Sequence, residues 1–347
     1  MNNDFEFNKE TFQTAQPQKK YVTYIPYGLT PETYEERKEI RKLGNIIGGA
    51  LLFMTVISII FGFVMRIVLI SLGLWGTKEV AILSDPATLQ LLQVILSTIM
   101  FTFPFVFLFS TNGYTISKLI KFKKPKKEDI LPYLLFGIAF CAFANITVSI
   151  IGNFFASFGI EYNVDFGEKP QGIFGFMLTF IATAIVPALV EEFACRGIIL
   201  GSLRKYGDGF AVICSAILFG LMHGNFQQIP FAFLVGIALG YIVVKTNTIW
   251  IAVVVHFFNN AVSVVFQYLT QNISEMSQNI IFTIYLLGCL LLSVVSIYLL
   301  RDREYAYKIK TAKTYSNKKQ IYKWFFSAPT IIIFIVVCLL EALTFFS

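Results

Sequence analysis

Residues 172–197 read GIFGFMLTFIATAIVPALVEEFACRG. The stretch from 172 to 190 is a nearly unbroken apolar run, and a bilayer-spanning helix needs about 20 such residues. At its end stand Glu191, Glu192 and Arg196. A charged side chain in lipid costs a few kcal/mol on insertion scales, so three of them call for partners and a purpose. Pro187 lies four residues before Glu191; inside a helix it removes one backbone hydrogen bond and favours a kink. A kink there can help open a water pocket beside the carboxylates.

The rest of the chain extends this reading. It has 347 residues, 56% of them hydrophobic and only 14% charged, with a mean hydropathy of +0.68. A soluble protein carries about 25% charged residues. Nine apolar segments are candidate spans: about 46–70, 88–110, 131–157, 172–194, 209–226, 231–245, 248–267, 279–300 and 325–346. The sixth is short and carries Gly236 and Gly240, which let neighbouring helices approach closely. The ninth is the weakest, because it contains Pro329 and Glu341. The fold class is therefore all-α, a polytopic transmembrane bundle of eight or nine spanning helices.

Four segments follow: a polar cytoplasmic leader over 1–43, a pair of spans with a basic loop over 44–130, a membrane core over 131–270, and C-terminal spans with a basic loop over 271–347. The leader has no signal-peptide pattern, and TPETYEERKEIRKLG within it can start an amphipathic helix at Thr30. Lys and Arg concentrate before the first span, in SKLIKFKKPKKED, in GSLRKYGDG, at Lys245 and in the eight cations of RDREYAYKIKTAKTYSNKKQIYK. The loops GTKEVAILSDPAT, EYNVDFGEKPQ and LTQNISEMSQN are short and neutral or acidic. All the basic loops share one side if the N-terminus is cytoplasmic. The expectation is a multi-pass protein of the cell membrane, oriented that way. The net charge of +7 flanks the spans, so the lipid bilayer is the partner it implies and no nucleic acid is expected. The five cysteines all fall in apolar segments without metal-ligand spacing and read as small apolar residues.

The chain has only two histidines, His223 in ILFGLMHGN and His256 in VVVHFFNNA. Phe219 and His223 are four residues apart, as are His256 and Asn260, so each pair shares a helix face. Glu192 and Arg196 have the same spacing, with the acid first, the favourable order for a helical ion pair. Glu191 is rotated by about 100° from Glu192. Glu192 can then be neutralised by Arg196 while Glu191 faces a cavity shared with the histidines. Taken singly, each feature has an ordinary explanation: an interfacial anchor pair, or polar groups that satisfy one another between helices. Taken together, Glu, His, His and Asn in a dry pocket suit peptide hydrolysis without a Ser or Cys nucleophile. Glu191 with His223 can hold and deprotonate a water, and His256 with Asn260 can stabilise an oxyanion. Cys195 has no histidine beside it in sequence to activate it. Glu, His and His also form a known zinc set, but HExxH is absent; no cofactor is expected, with zinc the alternative.

EEFACR fits EExxxR, FGLMH fits FxxxH and HFFNN fits HxxxN. In that order the motifs resemble those of the CPBP or Abi family, which includes CAAX prenyl protease 2 and lysostaphin resistance protein A-like proteins. The resemblance covers about residues 170–265. It implies an all-helical membrane fold and a glutamate-type intramembrane endopeptidase acting on membrane-associated peptides or proteins. Glu191 and His223 would activate water, His256 and Asn260 would form the oxyanion hole, and Glu192, Arg196 and Phe219 would support the site. Asn259 matches nothing in the pattern and reads as packing.

Two other function classes remain open at this level. One is a non-catalytic bacteriocin self-immunity or scaffold protein that binds a peptide partner. The other is a proton-coupled carrier, which the absence of paired repeat halves disfavours. A fourth span ending at 194 would put Glu191 near the cytoplasmic end, while a fifth over 209–226 would put His223 near the far end. The motifs meet only if these limits shift, as with a fourth helix reaching about residue 204.

Overall fold

In the computed structural model residues 25–71, 86–159, 172–303 and 308–344 are described, and every extended element among them is helical. Most of residues 1–43, two of the neutral or acidic loops and part of the last basic loop lie outside the described residues.

Helix α1 spans Pro31–Ser71. Thr30 starts it as expected: its hydroxyl accepts from the Thr33 N–H at 3.3 Å, and Pro31 sits where a missing N–H leaves no gap in the ladder. The end of the leader, from Pro31, and the first span are not separate. They form one helix of 41 residues, because nothing between Thr30 and Ser71 breaks the ladder. Helices α2 (Pro86–Thr111) and α3 (Lys127–Ala156) follow. Helix α4 runs over Gly172–Tyr206, α5 over Asp208–Leu221, α6 over Gln228–Thr246, α7 over Trp250–Thr270 and α8 over Glu275–Leu300. Short α9 (Lys318–Phe326) and α10 (Pro329–Leu343) close the chain.

Seven of these helices are long and apolar enough to cross a membrane, and α9 with α10 brings the number to eight if the bent pair is one span. That agrees with an all-α multi-pass membrane protein. Two expected limits are corrected. The fourth span does not stop at 194; it continues to Tyr206, and Cys195–Leu200, Ser202, Leu203 and Tyr206 are buried. The fifth is a 14-residue helix that ends at Leu221, about 21 Å long and so shorter than the bilayer core. The ninth breaks before Pro329. The residue ahead of a proline is steered out of helical geometry, Ala328 is extended, and α9 and α10 meet at 69°.

Helices α5 and α6 form an antiparallel hairpin. A Cβ on Gly236 would lie 3.1 Å from Ala216, so glycine sets how closely α6 approaches α5. The outward faces of α1, α2 and α8 stay apolar and exposed, Ile59, Phe63, Ile284 and Leu291 among them, which is what a lipid-facing surface requires. All five cysteines are buried and free.

The basic segments, dispersed in sequence, touch one another at one end of the bundle. Lys205 pairs with Glu39 at 2.9 Å, and Arg303 with Asp129 at 2.6 Å. The Asp208 N–H donates to the Lys310 carbonyl, and the Ile249 N–H to that of Lys121. The Lys245 ammonium donates to the Lys308 carbonyl. The basic loops, separated along the sequence, thus share one end in space.

Candidate active site

The local path of α4 positions the two glutamates. Pro187 has no N–H, and its ring crowds the carbonyl four residues back, that of Thr183. The helix responds by widening. Over Ile181–Ile185 it is π-helical, with the Val186 N–H donating to the Ile181 carbonyl five residues back. A second π-helical stretch, Phe193–Ile199, follows the glutamates directly. Such bulges are frequent at functional sites, since they re-aim side chains within an otherwise continuous helix. Glu191 and Glu192 sit on the short α-helical segment between the two.

Extension of α4 to Tyr206 also settles the depth. Glu191 lies fifteen residues before Tyr206, and His223 fifteen after Asp208. Counted from the same turn, both are about 22 Å along their helices. Both gather at one ring: His223 meets Phe219 at 5.0 Å, and Glu191 lies 3.9 Å from His256, which meets Phe219 at 6.0 Å.

Glu192 is fully buried and its Oε1 is shared. Arg196 Nη1 donates to it at 2.8 Å, and His256 Nδ1 lies 2.9 Å from it. The Arg196 guanidinium also lies 4.1 Å above the Phe219 ring. The same ring meets His223 edge-on at 5.0 Å and His256 at 6.0 Å. Phe219 is therefore the apolar spacer of the cluster, and the charges around it are compensated within the protein. Glu191 meets the other nitrogen of the same imidazole. Its side chain keeps 15% exposure against 0% for Glu192, and its Oε2 lies 3.9 Å from His256 Nε2.

His223 sits just past the end of α5. Its Nδ1 is 2.8 Å from the Phe219 carbonyl. A carbonyl only accepts, so Nδ1 carries the proton and Nε2 is left with a lone pair in the neutral ring. A carboxylate likewise only accepts, so His256 Nδ1 carries a proton toward Glu192. Asn260 donates through Nδ2 to the Thr183 carbonyl at 3.0 Å and accepts at Oδ1 from Asn259 at 3.1 Å. One amide N–H of Asn260 remains. Asn259 is thus more than packing: it fixes which way the Asn260 amide faces. Cys195 is fully buried, with its Sγ 3.8 Å from Met222 Sδ.

Two residues that the motifs do not mark complete the surroundings. Asn225 donates to the His223 carbonyl at 3.0 Å and accepts from the Gln228 N–H at 2.8 Å, which ties the histidine turn to the start of α6. An Asn three residues before a helix is a turn signal that could have marked it. Glu341 on α10 lies against Gly224, which has φ +65°; a Cβ there would be 2.8 Å from the Glu341 Cδ. Read from sequence, Glu341 only weakens the last span, although an ionisable group in an apolar helix is itself a signal. Among the described residues no group of three His, Cys, Asp or Glu is arranged to hold a metal ion.

Residues 173–262 match the family described as Type II CAAX prenyl endopeptidase Rce1-like. The chain is 30% identical over 167 residues to YdiL of Bacillus subtilis (strain 168), which is named as a membrane peptidase; the match covers 44% of this chain and 66% of that protein. It is 28% identical over 162 residues to the membrane-embedded CAAX protease MroQ of Staphylococcus aureus (strain USA300), covering 43% of this chain and 63% of that one. The chain therefore spans slightly under two thirds of the length of these curated relatives. No solved structure matches at the same stringency. The matched segment contains Glu191, Glu192, Arg196, Phe219, His223, His256 and Asn260. The resemblance carried by EExxxR, FxxxH and HxxxN is met by similarity across 173–262 to the Type II CAAX prenyl endopeptidase Rce1-like family.

Proposed function

We propose that this protein is an intramembrane endopeptidase that hydrolyses peptide bonds of membrane-associated peptides or proteins with a glutamate-activated water. The observation that carries the reading is the division of labour between adjacent carboxylates. Glu192 is committed to Arg196 and His256 at 2.8 and 2.9 Å, while Glu191 lies open beside His256 Nε2.

A water held between Glu191 and His223 Nε2 attacks the scissile carbonyl carbon, and its proton passes to Glu191. The carbonyl oxygen becomes an oxyanion. The remaining Asn260 N–H and a protonated His256 Nε2 donate to it, while His256 Nδ1–H stays on Glu192. Collapse breaks the C–N bond; the proton held by Glu191 goes to the leaving nitrogen, giving a carboxylic acid and an amine, which exchange a proton to end as carboxylate and ammonium. The end where the basic segments gather faces the cytoplasm in this reading, by the bias of Lys and Arg to that side.

The test is cleavage of a mixed library of membrane-associated peptides by purified protein in liposomes. Wild type is compared with Glu191→Gln and His223→Ala, each with and without chelator. Cleavage that needs both residues and ignores chelator supports the reading. Loss with chelator assigns the water to a zinc ion instead. No cleavage by stably folded wild type favours a peptide-binding immunity or scaffold role.

A further inference from the structure

The N-terminal part of α1 separates its charges by face. Glu32, Glu35, Glu36 and Glu39 line a groove that faces the 205 and 313–315 segments. There Glu36 accepts the N–H groups of Tyr315 and Ser316 at 3.3 and 2.8 Å, and Glu39 pairs with Lys205. Arg37, Lys38, Arg41 and Lys42 line a different groove of about 660 Å³, shared with the end of α2. Lys38 has a loose exposed pair with Glu35 at 3.8 Å. Among the described residues Arg37, Arg41 and Lys42 make no ion pair. Apart from Glu35 beside Lys38, the carboxylates nearest in sequence are thus held on the other side of the helix. Lysines and arginines that only anchored a topology would have no reason to be kept apart from their neighbouring acids.

The floor of the basic groove changes character along its length. Beyond Arg41 and Asn45 it is formed by Ile46, Gly49 and Leu108, and it leads onto the apolar outer faces of α1 and α2, where Phe53, Phe103 and Phe107 pack together. A cationic rim over an apolar floor, at the level where α1 enters its apolar run, matches an amphiphile with an anionic head. We infer that this groove binds a phosphate-headed anionic lipid, with the phosphate on Arg37 and Arg41 and the acyl chain along the Gly49–Leu108 seam. Basic pockets between membrane helices are suited to such heads because charge and partial burial act together. The site is separate from the glutamate–histidine cluster and does not depend on proteolysis.

The full-length protein in neutral detergent is titrated with phosphatidylglycerol or phosphatidylcholine, and bound lipid is counted by native mass spectrometry. The expected result is retention of one phosphatidylglycerol in preference to phosphatidylcholine. Affinity should fall about thirtyfold in Arg37→Gln/Arg41→Gln and stay unchanged in Lys318→Gln/Lys319→Gln, an exposed basic pair elsewhere on the same end. Gly49→Leu keeps every charge and fills the apolar floor, so it too should release the lipid; it decides the matter if the double variant does not fold. Equal losses in the groove and control pairs would reduce the effect to general surface charge and overturn the site. Complete displacement by millimolar inorganic phosphate, or retention by Gly49→Leu, would overturn the lipid assignment.

Discussion

The side-chain amide of Asn260 donates to the backbone carbonyl of Thr183 at 3.0 Å, and Thr183 is the residue whose usual helical donor would be the N–H that Pro187 lacks. The proline and the asparagine therefore form one device across two helices. Proline frees a carbonyl and widens α4 just before the glutamates; asparagine takes that carbonyl and pins α7, with His256 one turn earlier, against the same stretch. Removing Asn260 leaves a partly buried acceptor without this donor, which costs at most about 1–3 kcal/mol. Asn260→Ala should lower the thermal midpoint in detergent as well as the cleavage rate. Asn259→Ala should slow cleavage with a smaller loss of stability, since it frees the amide to rotate without emptying the Thr183 carbonyl. Equal midpoints for wild type and Asn260→Ala would contradict the device.

The adjacent glutamates should separate cleanly in two measurements. Glu191→Gln removes the group that takes the proton and should reduce cleavage about a thousandfold, within the range for loss of a general base, with the midpoint unchanged. Glu192→Gln leaves Arg196 buried without its counter-charge. Breaking a buried pair costs about 3–5 kcal/mol, so that variant should lose stability first and activity as a result. A large midpoint drop in Glu191→Gln would mean that the two roles are exchanged.

Gly224 holds φ at +65° beside the Glu341 carboxyl. Gly224→Ala should cost about 1–2 kcal/mol from the left-handed backbone alone, and more from the contact with Glu341. The displaced turn carries His223, so cleavage should fall further than the midpoint does. Gly224→Ala combined with Glu341→Ala should regain part of the lost midpoint. No recovery would show that the contact adds nothing to the backbone strain.

Cys195 faces a thioether and not a histidine. Cys195→Ala should keep most of the cleavage activity, and thiol-modifying reagents should leave the wild-type rate unchanged. Inhibition by such a reagent that Cys195→Ala abolishes would restore a cysteine mechanism.

Much of the fold was legible because lipid is a demanding solvent. A segment such as 275–300 or 127–156 must satisfy its own backbone and hide its polar groups, so hydropathy alone marks it. The limits that failed did so where protein replaces lipid. Residues 195–206 pack inside the bundle, so α4 continues beyond its apolar run, and α5 stops short because its last turn meets the site and not the far membrane face.

For the site, spacing alone determined three pairs: Glu192 with Arg196, Phe219 with His223, and His256 with Asn260 as residues on one helix face. Helical periodicity fixes those without reference to any other helix. Only the tertiary structure decided what crosses between helices. It gave His256 to Glu192 and left Glu191 open, placed Asn260 on Thr183, made Asn259 the partner of Asn260, and brought Glu341 from α10 to the His223 turn. These depend on helix length, on the two π-helical stretches of α4 and on the angle at which α7 and α10 pack. A local sequence pattern carries none of these quantities, because they follow from how whole helices bury their surfaces against one another.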